Sequence, residues 1–379
     1  MEWGGYRKDS PYRVNFKMIH IAVGTKAQAI KMAPVIRLLK QKGIAFNLID
    51  LGQHSLITKN LREEFGLDEP NAYLSKGSNV SSLAQAFLWL AEVFFKSLSS
   101  LRIKREIFLN QGGICLIHGD TASTLIGLYL AKRARLKVAH IEAGLRSFNW
   151  LEPFPEEIIR IIAMRFSDIL FAPSGWAFDN LVKMRLKEKS ILILANTSIE
   201  STLYSLNKTV ALELGLEKFA LVTIHRMENI FSKKRLEFII GLISEISQEL
   251  PIVFVQHPPT VNQLKKFELQ DKLNKIKNVH FLKILSHAHF INLLNRCVFV
   301  ITDGGSIQEE SYYLNKPCLL LRKRTERQEG LGENVLLSQF SQDKINYFLE
   351  NYKNLKRPAS LSPEPEPSSQ IVDTILNFQ

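Results

Sequence analysis

Short apolar runs alternate with longer amphipathic stretches along the chain. Brief apolar runs bounded by turn residues read as buried strands, and apolar positions recurring every three or four residues read as helices. Strands are predicted over 18–23, 45–51, 114–118, 137–141 and 190–194, and helices over 27–41, 55–65, 80–101, 121–133 and 155–166. Pro155 opens the last helix, at a position where a missing N–H costs nothing. The pattern then restarts. Strands are predicted over 219–224, 252–255, 279–281, 298–301 and 318–321, and helices over 233–249, 261–274, 287–295 and 306–314.

Alternation of this kind predicts an α/β chain whose parallel sheets carry helices on both faces. Two runs predict two Rossmann-like, doubly wound domains, over 18–196 and 197–356. A loose leader is expected over 1–17. A Pro-, Ser- and Glu-rich linker and a short docked helix at 371–378 are expected over 357–379.

In open parallel sheets, ligands bind outside the carboxyl ends of the strands. Polar residues at those ends are therefore the informative ones: Gly24-Thr25-Lys26, Gly119-Asp120-Thr121, Glu142, His225-Arg226, His257 and Asp303-Gly304-Gly305-Ser306. They recur in both halves, as expected for a ligand held in an interdomain cleft. Gly304-Gly305-Ser306 lead into a helix, so they read either as an anion cradle or as a plain turn with an N-cap. Lys31, Arg226 and Arg327 could supply counter-charge.

Asp120, Glu142 and Glu156 form the candidate acid/base set, since carboxylates sharing a closed cleft raise one another's pKa. Bland readings stand beside this one. Asp120 could be the N-cap of the following helix, and Glu156 with Glu157 a first-turn dipole pair. Glu142, directly after an apolar strand, needs a partner, which could be Arg146 or Arg160. His140 reads as a satisfied wall residue.

Composition narrows the classes. With 46% apolar and 23% charged residues, the chain is neither disordered nor collagen-like. Cys115, Cys297 and Cys318 lie in apolar runs without metal-ligand spacing, which predicts buried free thiols, no metal site and a reducing cytoplasm. No run reaches the roughly 18–20 apolar residues of a membrane span. The nearest, 83–95, is interrupted by Gln85 and Glu92. The net charge of +12 is scattered over helix ends and polar faces, which argues against nucleic acid as a partner.

Seven segments resemble the UDP-N-acetylglucosamine 2-epimerases, chiefly the non-hydrolysing branch, over roughly residues 18–340. They are GTKAQAIKMAP (24–34), HGDTAST (118–124), HIEAGLRS (140–147), PFPEEIIR (153–160), VTIHRMEN (222–229), TDGGSIQEE (302–310) and LRKRTERQEG (321–330). The resemblance implies the GT-B architecture and a cytoplasmic homodimer serving cell-surface polysaccharide synthesis. It implies interconversion of UDP-GlcNAc and UDP-ManNAc, with no metal or redox cofactor. UDP would be eliminated to leave 2-acetamidoglucal, then re-added after protonation from the other face. By matching position, Asp120, Glu142 and Glu156 become the carboxylates near C2. Lys31 and His225 become cleft-facing cations or donors. Gly304, Gly305 and Ser306 cradle the diphosphate, Glu310 takes the ribose hydroxyls, and Arg327 pairs with the diphosphate.

Four positions depart from the family pattern. GTRPE reads GTKAQ, so Lys26 replaces an arginine and loses its bidentate fork, and Gln28 replaces an acid. HRRE reads with Met227. DSGG reads Asp303-Gly304-Gly305-Ser306. Ile159 stands in place of an asparagine. Competing readings are a hydrolysing 2-epimerase, a more distant GT-B glycosyltransferase and a nucleotide-sugar-binding protein that has lost catalysis.

Overall fold

The computed structural model describes residues 18–52, 59–74, 99–150, 155–193, 195–211, 214–356, 364 and 366–378. The expected leader, the helix expected over 80–101 up to residue 98, the start of the one expected over 55–65, and 357–363 of the linker lie outside them.

Among the described residues every strand pairing is parallel. The first sheet contains β1 (Met18–Val23), β2 (Phe46–Asp50), β3 (Ala72–Tyr73), β4 (Gly113–His118), β5 (Lys137–Ile141), β6 (Ile169–Ala172) and β7 (Ser190–Leu192). Its order is β3-β2-β1-β4-β5-β6-β7. The second contains β8 (Ala220–Thr223), β9 (Ile252–Gln256), β10 (Val279–Lys283), β11 (Phe299–Thr302), β12 (Cys318–Leu320) and β13 (Val335–Leu337), in the order β10-β9-β8-β11-β12-β13. Both orders reverse direction once, between β1 and β4 and between β8 and β11, which makes each sheet doubly wound.

The central strands are apolar on both faces because helices cover both. Ile19, Ile21 and Val23 of β1 pack on one side with helix Lys26–Gln41. Ala22 faces the other side, with Ile117 and Leu128. The three cysteines are buried and free, as expected.

Several expectations need correction. The helix expected over 261–274 is two, Pro258–Lys266 and Gln270–Asn274. Glu268, at φ 60°, ends the first, and the Leu269 N–H donates back to the Leu264 carbonyl at 2.8 Å. The C-terminal helix spans Pro367–Phe378, longer than 371–378. Its Ile371, Val372 and Ile375 join the core beneath helix Lys26–Gln41, in the first half of the chain. Helix Ser198–Leu206 is also present and was not foreseen. Its Ser- and Thr-rich sequence has weak helical preference, and it forms because it packs between helices Lys26–Gln41 and His287–Arg296.

Candidate active site

Most of the expected residues leave the two points where strand order reverses. Gly24 to Lys26 follow β1 and Gly119-Asp120 follow β4. His225-Arg226 follow β8, and Asp303 to Ser306 follow β11. Neighbouring loops there run to opposite faces of the sheet and leave a crevice between them.

Asp303 is fully buried and fixes the loop after β8. It accepts hydrogen bonds from the backbone N–H groups of His225 and Arg226, both at 3.0 Å, and from Asn229 Nδ2 at 3.0 Å. His225 stacks on His257 with ring centroids 4.6 Å apart. Burial lowers the pKa of His225 against the pull of Asp303. Burial likewise lowers His257, to about 4. Gly304 caps helix Gly305–Tyr313, and a Cβ there would lie 2.9 Å from His225 Cε1. Ser306 sits in the first turn of that helix, and Lys26 is exposed at the start of its own helix.

Asp120 does not cap its helix; Thr121 does. The Asp120 carboxylate instead pairs with Arg160 Nη2. Arg160 also reaches Glu157 Oε2 at 3.4 Å and Glu326 Oε1 at 3.6 Å. Glu156 begins helix Glu156–Phe166, its Oε1 3.8 Å from Arg226 Nη1 and its buried Oε2 without a hydrogen bond. Burial pushes this carboxyl above its ordinary value. Its own backbone N–H opposes the rise and the Asp120 charge adds to it. Two nearby carboxylates in unlike surroundings can hold different protonation states at one pH.

Glu142 follows β5 in the left-handed region, at φ 68°. A non-glycine residue is held there only by its surroundings. Arg327 Nη2 donates to Oε1 at 2.6 Å. Lys31 Nζ and Asn196 Nδ2 donate to Oε2 at 2.6 and 2.7 Å, and His118 Nε2 lies 3.2 Å away. Burial works to raise this carboxyl, but Arg327, Lys31 and His118 outweigh it and hold it well below the usual range. Its partner is thus neither Arg146 nor Arg160. Gly144, at φ 91°, turns the chain between them, and Arg146 Nε meets Glu157 Oε1 at 2.5 Å.

The buried Glu309 completes this group, accepting from Arg327 Nη1 at 3.0 Å and Tyr313 at 2.9 Å, with Lys31 at 3.5 Å. Glu310, the expected ribose acceptor, lies 3.2 Å from His287 Nε2. A second group surrounds the buried Glu326, which holds Arg322 at 2.9 Å and Arg226 at 3.4 Å. Burial works to raise Glu326, but Arg322, Arg160 and Arg226 hold it far below its ordinary value. Both groups join side chains of the first sheet's half to side chains of the second's. Glu309, Glu326, Asn196 and His118 were missed from sequence. Glu309 and Glu326 were visible only as neighbours of the chosen residues, in the segments IQEE and RTER.

Comparison with known proteins bears on this arrangement. Residues 37–368 match the family model described as UDP-N-acetylglucosamine 2-epimerase. A UDP-N-acetylglucosamine 2-epimerase of Methanocaldococcus jannaschii is 32% identical over 354 residues, 89% of this chain and 93% of the relative. A crystal structure of the M. jannaschii UDP-GlcNAc 2-epimerase in complex with UDP-GlcNAc and UDP has a TM-score of 0.82 at 29% identity, covering 96% of this chain and all of that one. The Neisseria meningitidis UDP-GlcNAc 2-epimerase bound to UDP-GlcNAc has a TM-score of 0.80 at 26% identity, covering 95% of this chain and all of that one.

Proposed function

Because the chain belongs to the UDP-N-acetylglucosamine 2-epimerase family, we propose that it is an isomerase interconverting UDP-GlcNAc and UDP-ManNAc by inversion at C2. The observation that carries this reading is a shared set of cations about two carboxylates: Arg160 binds Asp120, Arg226 lies 3.8 Å from Glu156, and Glu326 joins the two arginines.

The C2 hydrogen has no adjacent carbonyl to acidify it. One carboxylate removes this proton as the C1–O bond breaks, and UDP leaves with the bonding electrons. The double bond forms between C1 and C2. The other carboxylate then returns a proton to the opposite face of C2, and a UDP oxygen re-forms the bond at C1. Glu156, raised by burial, suits the acid, and Asp120, held by Arg160, is the other carboxylate of the pair. Lys26, Arg226, His225 and the loop Gly304-Gly305-Ser306 take the diphosphate at the helix N-terminus, and Glu310 takes the ribose. Lys31 and Arg327 act through Glu142, whose carboxylate they position.

The two sheets are assigned to two domains, with the change between them near 196–217. A homodimer in the cytoplasm, supplying polysaccharide synthesis, fits the same reading. Among the described residues no helix is long and apolar enough to cross a membrane.

The test is incubation of the purified protein with UDP-GlcNAc in D₂O, followed by proton NMR. Deuterium at C2 and new UDP-ManNAc signals are expected. A fully protonated C2 overturns the reading, and accumulation of free ManNAc and UDP makes the protein a hydrolase instead.

A further inference from the structure

The Glu310 carboxylate, assigned above to the ribose, meets His287 through one of its two oxygens. His287 Nε2 lies 3.2 Å from Oε1, while Oε2 has no hydrogen-bond partner among the described residues. An ionised carboxylate only accepts hydrogen bonds, so Nε2 carries the proton of this contact. A glutamate without such a contact keeps much rotamer freedom, which binding would have to remove.

His287 is itself fixed from three directions. It is the first residue of helix His287–Arg296, which Ser286 caps by accepting from the His289 N–H. Helix Ser198–Leu206 brings the fully buried Ser205 against it, with Oγ 2.7 Å from Nδ1. That hydroxyl at Nδ1 settles which ring nitrogen bears the proton. Helix Lys59–Phe65, from the first half of the chain, places the Phe65 ring 5.5 Å from the imidazole. The same helix sends Glu64 Oε1 to the Ala288 N–H at 2.5 Å. This takes one of the N–H groups that a helix start leaves unpaired, and a carboxylate suits the positive end of the helix dipole. The side chains of His287 and Glu310 are 9% and 11% exposed, so neither swings freely into solvent.

We propose that His287 is a positioning residue for nucleotide recognition: it occupies one oxygen of Glu310 and so turns the other toward the ribose hydroxyls. The inference rests on the assignment of Glu310 to the ribose and deepens it. Preference for a ribonucleotide is then set by a side chain behind the acceptor, held in place by Ser205 and Phe65.

UDP and 2′,3′-dideoxy-UDP are the probes, titrated calorimetrically into the full chain. The parent should bind UDP at least about tenfold more tightly, the size of a hydrogen bond to a charged group. His287→Leu should lose most of that preference while binding the dideoxy nucleotide as the parent does. His287→Gln, whose amide can donate from near the Nε2 position, should restore it. A purely structural defect would weaken both nucleotides together. Circular dichroism checks folding. If His287→Leu does not fold, Ser205→Ala, which takes the hydroxyl from Nδ1, replaces it and should also lower the preference. The proposal is overturned if the parent does not separate the two nucleotides. It is equally overturned if the folded variant keeps the parent's preference, or weakens both nucleotides alike. UDP binding needs no turnover, so a failed D₂O experiment leaves this comparison standing, and a failure here leaves the isomerase reading standing.

Discussion

Three carboxylates of one proposed reaction sit in three different surroundings, and each should respond differently to loss of its charge. Glu142 is clamped by two buried cations, so Glu142→Gln leaves Lys31 and Arg327 short of a counter-ion. Breaking a buried pair in this way costs about 3–5 kcal/mol. That variant should lose thermal stability along with activity. Asp120, partly exposed, carries less structure. Asp120→Asn should reduce turnover by about 10²–10⁴ with little change in unfolding temperature. It also removes the charge that adds to the raised pKa of Glu156, so the Glu156 carboxyl should titrate at lower pH, read by carbon-13 NMR. An unmoved Glu156 titration would mean that the two groups do not share a site. Glu142 was legible in sequence because an acid directly after an apolar strand demands a partner. Which partner it took was not, because the turn at Gly144 decides where Arg146 points. Glu309 and Glu310 adjoin in one helix, about 100° apart around its axis, and only packing reveals which of them faces Lys31. Gln28, at a position where the family carries an acid, is also explained by its contacts. Its Nε2 donates to the His118 carbonyl at 2.7 Å and to the Thr121 and Thr124 hydroxyls at 3.0 Å each. The first of these acceptors, a carbonyl, would face a carboxylate without a shared proton.

At the scale of elements, helix Lys26–Gln41 contains Pro34 in its interior. A proline there has no N–H to offer the carbonyl four residues earlier. That carbonyl, of Ile30, is taken by the Ser201 hydroxyl at 2.7 Å, from helix Ser198–Leu206. One helix's defect is thus the docking point of the next, which helps explain how a segment of weak helical preference stays ordered. Ser201→Ala should destabilise the fold by about 1 kcal/mol, the low end of the cost of leaving a carbonyl unpaired, because this one is only partly buried. Denaturant unfolding would measure it, and an unchanged midpoint would show that the carbonyl is satisfied in another way. The strands over 18–23, 46–50, 113–118 and 137–141 were readable because parallel strands buried on both faces are continuous apolar runs. Ala72–Tyr73 and Ile169–Ala172 of the same sheet were not predicted, the first being two residues long and the second four. Helix Ser198–Leu206 was not, since what makes it a helix lies in other elements.

At the scale of the molecule, the C-terminal helix returns to the first half of the chain. Ser368 donates to Glu200 through its N–H at 2.9 Å and its hydroxyl at 2.5 Å, and Lys42 pairs with Asp373 at 2.8 Å. Burial raises the Glu200 pKa to about 7, against the two hydrogen bonds from Ser368. Between the ordinary glutamate range and about 7, the folded chain therefore keeps a proton that the unfolded chain has released. That stabilisation is complete below the ordinary value and is lost as pH rises through about 7. Glu200→Gln, neutral throughout, should match the parent near pH 4 and exceed it in unfolding temperature near about pH 8.5. A gain confined to acid pH would contradict this. Sequence alone placed a helix near this end but gave no sign of the surface it would choose.

That choice of surface bears on how the protein is made. Residues 26–41 leave the ribosome well before residues 367–378, from which more than 300 residues separate them. At about 5–20 residues per second, the apolar face that Ile371, Val372 and Ile375 will cover stays open for tens of seconds of synthesis. The first half thus emerges with a vacancy that helix Pro367–Phe378 later fills. A ribosome stalled between the two segments would hold a first sheet whose apolar face helix Pro367–Phe378 has not yet covered.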